Sequence, residues 1–259
     1  MYPNPLKQKL RNGDLVLGSA LPAFTPHLAG TILKNDIDFL WLDTEHQPYG
    51  VEKLDTIPVL ARQRGVAPMI RVANNDPGLI KKAFDAGAVA LMVPQVNTAE
   101  EAAAAVRSAK YPPLGDRGIT PSWTSVASED FNHVIKTAND ETVIVLQIES
   151  VQAYENLDAI AAVDGIDVLF VGPMDLSASL GVITETSSRQ VQEIMEDVPQ
   201  RLAASGIVAG TTLMEVDDIQ EKIRWGYRFL NVGNVVAYGN QVLKESLDAL
   251  RANPGGAGS

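Results

Sequence analysis

Residue types able to do chemistry follow four short apolar runs of the sequence. They read Asp43-Thr44-Glu45-His46, then Arg71, then Gln147-Ile148-Glu149, and finally Gly172-Pro173-Met174-Asp175. Carboxylates, an imidazole and a guanidinium are thereby available, whereas the chain contains no cysteine. Disulfides, thiol nucleophiles and thiolate metal sites are excluded, so any metal must be bound by oxygen or imidazole ligands.

Glu149 and Asp175 suggest a metal site of the open, catalytic kind. Each could donate a carboxylate oxygen to a hard divalent cation and leave several positions for water and substrate. A 2-oxo acid could occupy two of those positions through its carboxylate and keto oxygens, and the cation would then stabilise the enolate. Arg71 would lie near the same keto oxygen, and backbone N–H groups after Gly172-Pro173 could bind the substrate carboxylate.

Each of these side chains also has a purely structural interpretation. Asp175, which precedes LSASLG, could cap a helix, and His46 could be a loop histidine beside a carboxylate. Arg71 is harder to explain in this way, because a charge at the end of a buried strand needs a partner or an anionic ligand. His27 and His133 fall outside the polar segments, and we expect them to be structural.

These groups must be positioned by a repeating unit, since short β-branched runs alternate along the chain with segments of helical periodicity. The runs are continuously apolar, which is typical of parallel strands covered on both faces. We predict eight strands, at residues 15–21, 39–44, 68–72, 90–96, 142–149, 168–172, 208–213 and 229–233. Eight strand–helix units close most naturally into a single-domain (β/α)8 TIM barrel of the α/β class.

A doubly wound sheet is the main alternative to the barrel. It usually carries a glycine-rich phosphate loop after its first strand, and LGSALPAFTPH has no such pattern. In a barrel the carboxyl ends of all strands meet at one face, where the following loops converge. The barrel therefore predicts that the polar groups form a single site.

Length and charge limit the class of protein. The 259-residue chain fits one barrel domain, which we place at residues 1–252, with a flexible Gly-rich tail at 253–259. Lys and Arg total 21 against 32 Asp and Glu, a formal net charge of -11, which disfavours nucleic acid and anionic membranes as partners. No apolar run reaches the roughly 18 residues of a membrane span. We therefore expect a cytoplasmic protein with small-molecule substrates.

Five segments occur in an order that is specific enough to indicate a family. They are FLWLDTEHQPYG, MIRVANNDPGLIKKAFDAGAVALMVPQV, YPPLGDRG, VLQIES and VLFVGPMDLSASLG. Together they resemble the successive signatures of the HpcH/HpaI aldolase family, which includes 4-hydroxy-2-oxoheptanedioate and 2-keto-3-deoxy-sugar-acid aldolases. The resemblance implies a metal-dependent class II aldolase. Such an enzyme cleaves 4-hydroxy-2-oxo acids reversibly to pyruvate, or a related 2-oxo acid, and an aldehyde through a metal-stabilised enolate.

The resemblance also implies roles for individual residues. Glu149 and Asp175 would hold the divalent metal ion, Mg, Mn or Co, with pyruvate bound beside it. His46, oriented by Asp43 and supported by Asp85 from a neighbouring helix, would be the acid/base group. Arg71 would stabilise the enolate. The predicted substrate-binding residues are Arg71, Gln147, Met174, Asp175 and Thr212.

The remaining features concern the type of aldolase. One histidine can move the proton in both cleavage and synthesis. No lysine lies at a predicted strand end, and the nearest, Lys81 and Lys82, lie on the helix after the third strand, so a Schiff-base mechanism is disfavoured. Thr211 and Thr212 end the seventh strand and could favour a hydroxylated aldehyde, or could be simple β-formers.

Two other functions remain open at this point. A citramalyl- or malyl-CoA lyase-like enzyme shares the enolate chemistry, but no basic cluster is present to hold the phosphates of coenzyme A. A non-catalytic small-acid binding barrel would be expected to have lost His46 or a metal-binding carboxylate, and the whole set is present. We also expect a homo-oligomer, a hexamer by family resemblance, because the apolar helix ends WGYRF and VVAYGNQVL are compatible with subunit contacts.

Overall fold

Eight parallel strands close into a barrel in the computed structural model, which describes residues 4–252. Each strand pairs with the next in sequence, and the last pairs with the first. The predicted single-domain TIM barrel is confirmed, while the tail predicted at 253–259 lies outside the described residues. The strands are β1 (Val16–Ala20), β2 (Phe39–Asp43), β3 (Ala67–Arg71), β4 (Ala90–Val93), β5 (Val143–Ile148), β6 (Val168–Val171), β7 (Val208–Thr212) and β8 (Phe229–Asn231).

Helices separate the strands and cover much of the outside of the barrel. Many begin at a proline or a polar N-cap; Asp76, for example, accepts a hydrogen bond from the backbone N–H of Leu79. The helices are α1 (Pro5–Asn12), α2 (Pro26–Ile32), α3 (Ile57–Gln63), α4 (Pro77–Asp85), α5 (Ala99–Ala109), α6 (Trp123–Ala127), α7 (Phe131–Glu141), α8 (Val151–Glu155), α9 (Leu157–Ala161), α10 (Pro173–Ser179), α11 (Arg189–Leu202), α12 (Val216–Trp225) and α13 (Val235–Ala252). A short 3-10 helix, Val51–Lys53, follows β2.

The strands alternate between an inner and an outer apolar layer. Outward residues such as Ile144 and Leu146 of β5 pack against the helices, whereas inward residues fill the barrel. Phe39 and Phe229 stack inside it with ring centroids 4.3 Å apart. Gly18 makes room for this stack, because a Cβ there would lie 2.3 Å from the Phe39 ring. Both faces of the sheet are thus covered, which explains why the strand sequences are continuously apolar.

One end of the barrel is closed by α1. Leu6 and Leu10 of this helix join the inner apolar layer, and Lys7 bonds the backbone oxygen of Thr142 at 3.0 Å and the Asp167 carboxylate. This is the end where the strands begin, so the opposite end, where the strands finish, is left for a site. No helix among residues 4–252 is long and apolar enough to cross a membrane.

Candidate active site

A cavity of about 670 Å³ opens at the carboxyl end of the barrel. It contains most of the residues predicted to act on substrate, and its inner wall is aromatic and apolar. The lining residues are Trp41, His46, Arg71, Gln147, Phe170, Gly172, Pro173, Met174, Asp175, Thr186, Thr212, Leu213 and Met214.

Arg71 is the most constrained polar side chain of the cavity. It lies opposite Asp43 in the β2–β3 register, and its Nε and Nη2 donate to the two oxygens of Asp43 at 2.9 and 2.6 Å. Nη1 donates to Gln147 at 3.3 Å and lies 2.9 Å from Glu45 Oε2. The guanidinium also lies over the Trp41 ring. Its orientation is therefore determined before any ligand arrives.

Asp43 is directed at Arg71 rather than at the imidazole of His46. Burial alone would raise the pKa of the Asp43 carboxyl, but its hydrogen bonds and charge interaction with Arg71 lower the pKa below the ordinary value. Its Oδ1 also accepts from the backbone N–H of Glu45 at 3.0 Å and of His46 at 3.4 Å. Asp43 thus orients the backbone of the loop that carries His46, whereas the family resemblance implies that it orients the His46 side chain. The strand register accounts for the difference, because it brings Arg71 opposite Asp43.

Glu45 occupies the position beside the imidazole. Its Oε2 lies 3.7 Å from Nε2 of His46 and 2.9 Å from Nη1 of Arg71. Burial raises the pKa of the Glu45 carboxyl. His46 itself is largely exposed at the cavity mouth, with 61% of its side chain accessible. Glu45 belongs to the first polar segment of the sequence, two residues after Asp43, but the sequence alone indicates no specific role for it.

Glu149 is held at the base of the site by two hydrogen bonds. The backbone N–H of Gln95 donates to Oε1, and Gln147 Nε2 donates to Oε2, each at 2.7 Å. Burial raises the pKa of Glu149 to about 7. The hydrogen bond from the Gln95 N–H opposes this rise, and the nearby charge of Asp175 adds to it. Gly172 permits this packing, because a Cβ there would lie 2.7 Å from Glu149 Oε2.

Asp175 lies in the first turn of α10 rather than at its cap. The N-cap is Gly172, which has no side chain to bond the first N–H groups of the helix. The alternative interpretation of Asp175 as an N-cap therefore does not hold. Its carboxylate lines the cavity close enough to Glu149 for the two charges to interact.

The charges of the site are not balanced by the protein alone. Four carboxylates, those of Asp43, Glu45, Glu149 and Asp175, interact with the single guanidinium of Arg71 or with one another. Among residues 4–252 no group of three or more His, Asp or Glu side chains forms a complete metal cage. Two of these carboxylates, Glu149 and Asp175, could offer oxygen atoms to a hard divalent cation, which would leave its other positions for substrate or water.

The structure does not bring Asp85 to this site. The helix α4 starts after the carboxyl end of β3 and returns toward the start of β4, so its last residue, Asp85, lies at the opposite end of the barrel. Its carboxyl is near Arg117 and Lys81, and burial raises its pKa. Within one chain, Asp85 therefore cannot support His46 as expected from the family resemblance.

The two threonines of β7 point in different directions. Thr211 faces outward and donates to the backbone oxygen of Val171 at 3.0 Å. Thr212 faces inward, lines the cavity and accepts a hydrogen bond of 2.9 Å from Asn231 of β8. Only Thr212 is therefore placed to touch a substrate. Asn231 was missed by sequence reasoning, which had no signal for its pairing with Thr212.

Proteins similar in sequence to this chain point to one family. A family model described as HpcH/HpaI aldolase/citrate lyase matches residues 18–237. A 2-keto-3-deoxy-L-rhamnonate aldolase of Salmonella gallinarum (strain 287/91 / NCTC 13346) is 38% identical over 238 residues, covering 90% of this chain and 88% of the relative.

Solved structures share the same barrel. An HpcH/HpaI aldolase/citrate lyase family protein from Burkholderia cenocepacia J2315 has a TM-score of 0.89 at 29% identity, covering 96% of this chain and 99% of that one. An HpcH/HpaI aldolase from Desulfitobacterium hafniense DCB-2 has a TM-score of 0.86 at 31% identity, covering 95% and 96%. The chain belongs to the HpcH/HpaI aldolase/citrate lyase family.

Proposed function

We propose that this protein is a metal-dependent class II aldolase, a carbon–carbon lyase that cleaves 4-hydroxy-2-oxo acids reversibly to pyruvate and an aldehyde. One observation carries the proposal. The fixed guanidinium of Arg71 and the carboxylate of Asp175 open on the same cavity, with Glu149 directly behind. An oxyanion donor next to a cation site is what enolate chemistry requires.

Glu149 and Asp175 would hold the metal, which we propose to be Mg, Mn or Co. Carboxylate oxygens suit these hard cations, and a cation would offset the surplus negative charge described above. When bound, it withdraws electrons from the keto carbonyl of the 2-oxo acid.

The protein's own groups would divide the remaining work. Arg71 uses its N–H groups on Asp43 and Gln147 and beside Glu45, which leaves one of its five N–H donors for the enolate oxygen. His46, beside Glu45 and open to solvent, would move a proton to or from the 4-hydroxyl or the methyl carbon. Gln147 and Met174 would help to shape the pocket.

The name of the Salmonella relative supports a substrate class. A 2-keto-3-deoxy sugar acid is a 4-hydroxy-2-oxo acid whose cleavage releases a hydroxylated aldehyde, and we propose this class as the substrate. The lining of the cavity in the described chain contains no lysine and no second arginine. It therefore supports neither a Schiff base nor a grip on the phosphates of coenzyme A.

Removal of the metal is the direct test of this proposal. Chelation should abolish pyruvate release from 2-oxo-3-deoxy sugar acids without unfolding the barrel, because the two ligands lie at strand ends outside the main core. Activity should return when Mg, Mn or Co is added. Pyruvate release is measured by a coupled assay and folding by circular dichroism. Full turnover in the chelated protein, or covalent trapping of a lysine by borohydride with pyruvate, would refute the metal-dependent class.

We further propose that the protein is a homo-oligomer in which α13 contacts a second copy. Every residue from 239 to 252 is exposed, although the last helix of a closed barrel normally packs on its outside. An apolar stripe runs along one face of α13, formed by Val236, Leu243, Leu247 and Leu250. A second copy of the chain, which presents the same stripe, is a natural partner for it.

A charge in the stripe should disrupt the oligomer. Leu247→Glu is expected to shift the protein toward the monomer, because a buried unpaired carboxylate is costly at an interface. Gln241→Glu, on the opposite face of the helix, is the matched control and should leave assembly unchanged. Sedimentation velocity measures both variants. A wild-type protein that sediments as a monomer, or an unaltered Leu247→Glu oligomer, would exclude this role for α13.

A further inference from the structure

The carboxyl ends of β7 and β8 carry a polar pair of side chains, Thr212 and Asn231. The proposed function gives this pair no part in metal binding or in stabilising the enolate. Thr212 and Asn231 are partners in the register of these two strands, and Asn231 Nδ2 donates to Thr212 Oγ1 at 2.9 Å. Thr212 is half-buried and lines the cavity, whereas only 3% of Asn231 is exposed. The amide therefore acts on the cavity through the hydroxyl of Thr212.

The hydrogen-bonding groups of this pair are not all satisfied by the described protein. Within residues 4–252, the Thr212 hydroxyl accepts from Asn231 but donates to no protein group. Asn231 Oδ1 is buried without a hydrogen-bond partner, and so is Nε1 of Trp41, another residue of the cavity wall. Buried polar atoms normally find partners, since leaving one unpaired destabilises the fold. Two donors of the cavity wall, the Thr212 hydroxyl and Nε1 of Trp41, are therefore left for a ligand.

The surrounding wall makes the polar pair selective. Its neighbours in the cavity lining are Trp41, Phe170, Leu213 and Met214, which can contact the carbon chain of an aldehyde but offer no second hydroxyl. A hydroxylated aldehyde would accept the hydrogen bond of Thr212, whereas an aldehyde without a hydroxyl would leave the group unpaired. Sites built to bond a hydroxyl discriminate strongly against analogues that lack it.

We propose that Thr212, oriented by Asn231, selects aldehydes that carry a hydroxyl group for the aldol reaction. This inference rests on the proposed aldolase function and assigns its specificity for the aldehyde. Thr212 is the group that touches the substrate. Asn231 is a positioning residue, because its side chain does not line the cavity. Its N–H occupies a lone pair of the Thr212 oxygen and so directs the Thr212 hydrogen into the cavity.

Glyceraldehyde and propanal provide a matched pair of probes, because they share a three-carbon chain and differ in hydroxyl groups. The metal-loaded protein would be assayed for aldol addition of pyruvate to each, and the ratio of the two kcat/KM values compared between variants. Wild type should favour glyceraldehyde. Thr212→Val, which keeps the side-chain shape, should lower the ratio about tenfold, the effect of one neutral hydrogen bond. Thr212→Ser should retain the preference.

Two further variants separate positioning from general damage. Asn231→Leu should lower the same ratio by a few-fold without a matching loss on propanal, because the hydroxyl is no longer oriented. Thr211→Val removes the adjacent hydroxyl that faces away from the cavity and should leave the ratio unchanged. If both aldehydes react but Thr212→Val keeps the wild-type ratio, the inference is wrong. If neither aldehyde reacts with pyruvate in the wild type, the proposed aldolase function itself fails.

Discussion

Replacing Arg71 by Lys is expected to lower kcat by about two to three orders of magnitude, the scale of losing one oxyanion donor. The planar guanidinium of Arg71 bonds the two carboxylate oxygens of Asp43 and the amide oxygen of Gln147, and it still offers an N–H to substrate. The single ammonium of a lysine cannot reproduce this arrangement. The positive charge is retained, so the loss would report geometry rather than electrostatics alone. Steady-state pyruvate release gives the measurement.

A surface substitution of the same kind provides the control for Arg71→Lys. Arg189 is exposed and pairs with Glu193 in its own helix, and Arg189→Lys should keep full activity. An Arg71→Lys protein within a factor of about three of wild type would return Arg71 to a structural role, because removing a true oxyanion donor has a far larger effect.

His46→Ala and Glu149→Ala are expected to fail in different ways. The first should leave metal and pyruvate binding intact but slow turnover by roughly 10²- to 10⁴-fold, the usual contribution of a proton-transfer group. The second should lose metal and pyruvate together, because Glu149 is a proposed ligand at the base of the site. Calorimetry with metal and pyruvate separates the two, and His133→Ala, on the exposed face of α7, is the control.

The raised pKa of Glu149 adds a pH dependence to this experiment. Burial raises it to about 7, so a proton competes with the cation below that pH. Metal affinity should reach its maximum well above pH 7 and fall as the pH decreases through 7, since the ligand must ionise to bind. Pyruvate binding by Glu149→Ala at the wild-type level would exclude Glu149 as a metal ligand. Normal turnover by His46→Ala would exclude His46 as the proton-transfer group.

The fold could be predicted from the sequence because each strand is an apolar run bounded by polar residues. The ends of the strands are harder to predict, because apolar sequence continues into the loops. The predicted strand at 90–96 ends at Val93 in the structure, because Pro94 has no N–H to continue the ladder. The strand predicted at 68–72 is β3 (Ala67–Arg71), displaced by one residue.

The candidate site was partly accessible to the same reasoning. Polar residues at strand ends converge in any barrel, which is why Arg71, Glu149 and Asp175 could be chosen together. Their exact partners could not, because these depend on strand register and on backbone atoms. The N–H that donates to Glu149 belongs to Gln95, which adopts a positive φ of 54°, and no sequence pattern indicates this.

Asp85 is a different case, because the family resemblance implies support for His46 that a single chain does not provide. The segment KKAFDAG lies close to Arg71 in sequence, but α4 carries it away from the strand ends along the length of the barrel.

Exchange of the methyl protons of pyruvate in heavy water tests the central claim most directly, because it needs the enolate but no aldehyde. Proton NMR should show the methyl signal disappearing in the presence of the metal-loaded protein. Chelation should suppress the exchange, and Arg71→Lys should slow it by a factor similar to its loss of kcat. Exchange no faster than in buffer with metal alone, or exchange that persists fully after chelation, would contradict the proposal that this site forms a metal-stabilised enolate of pyruvate.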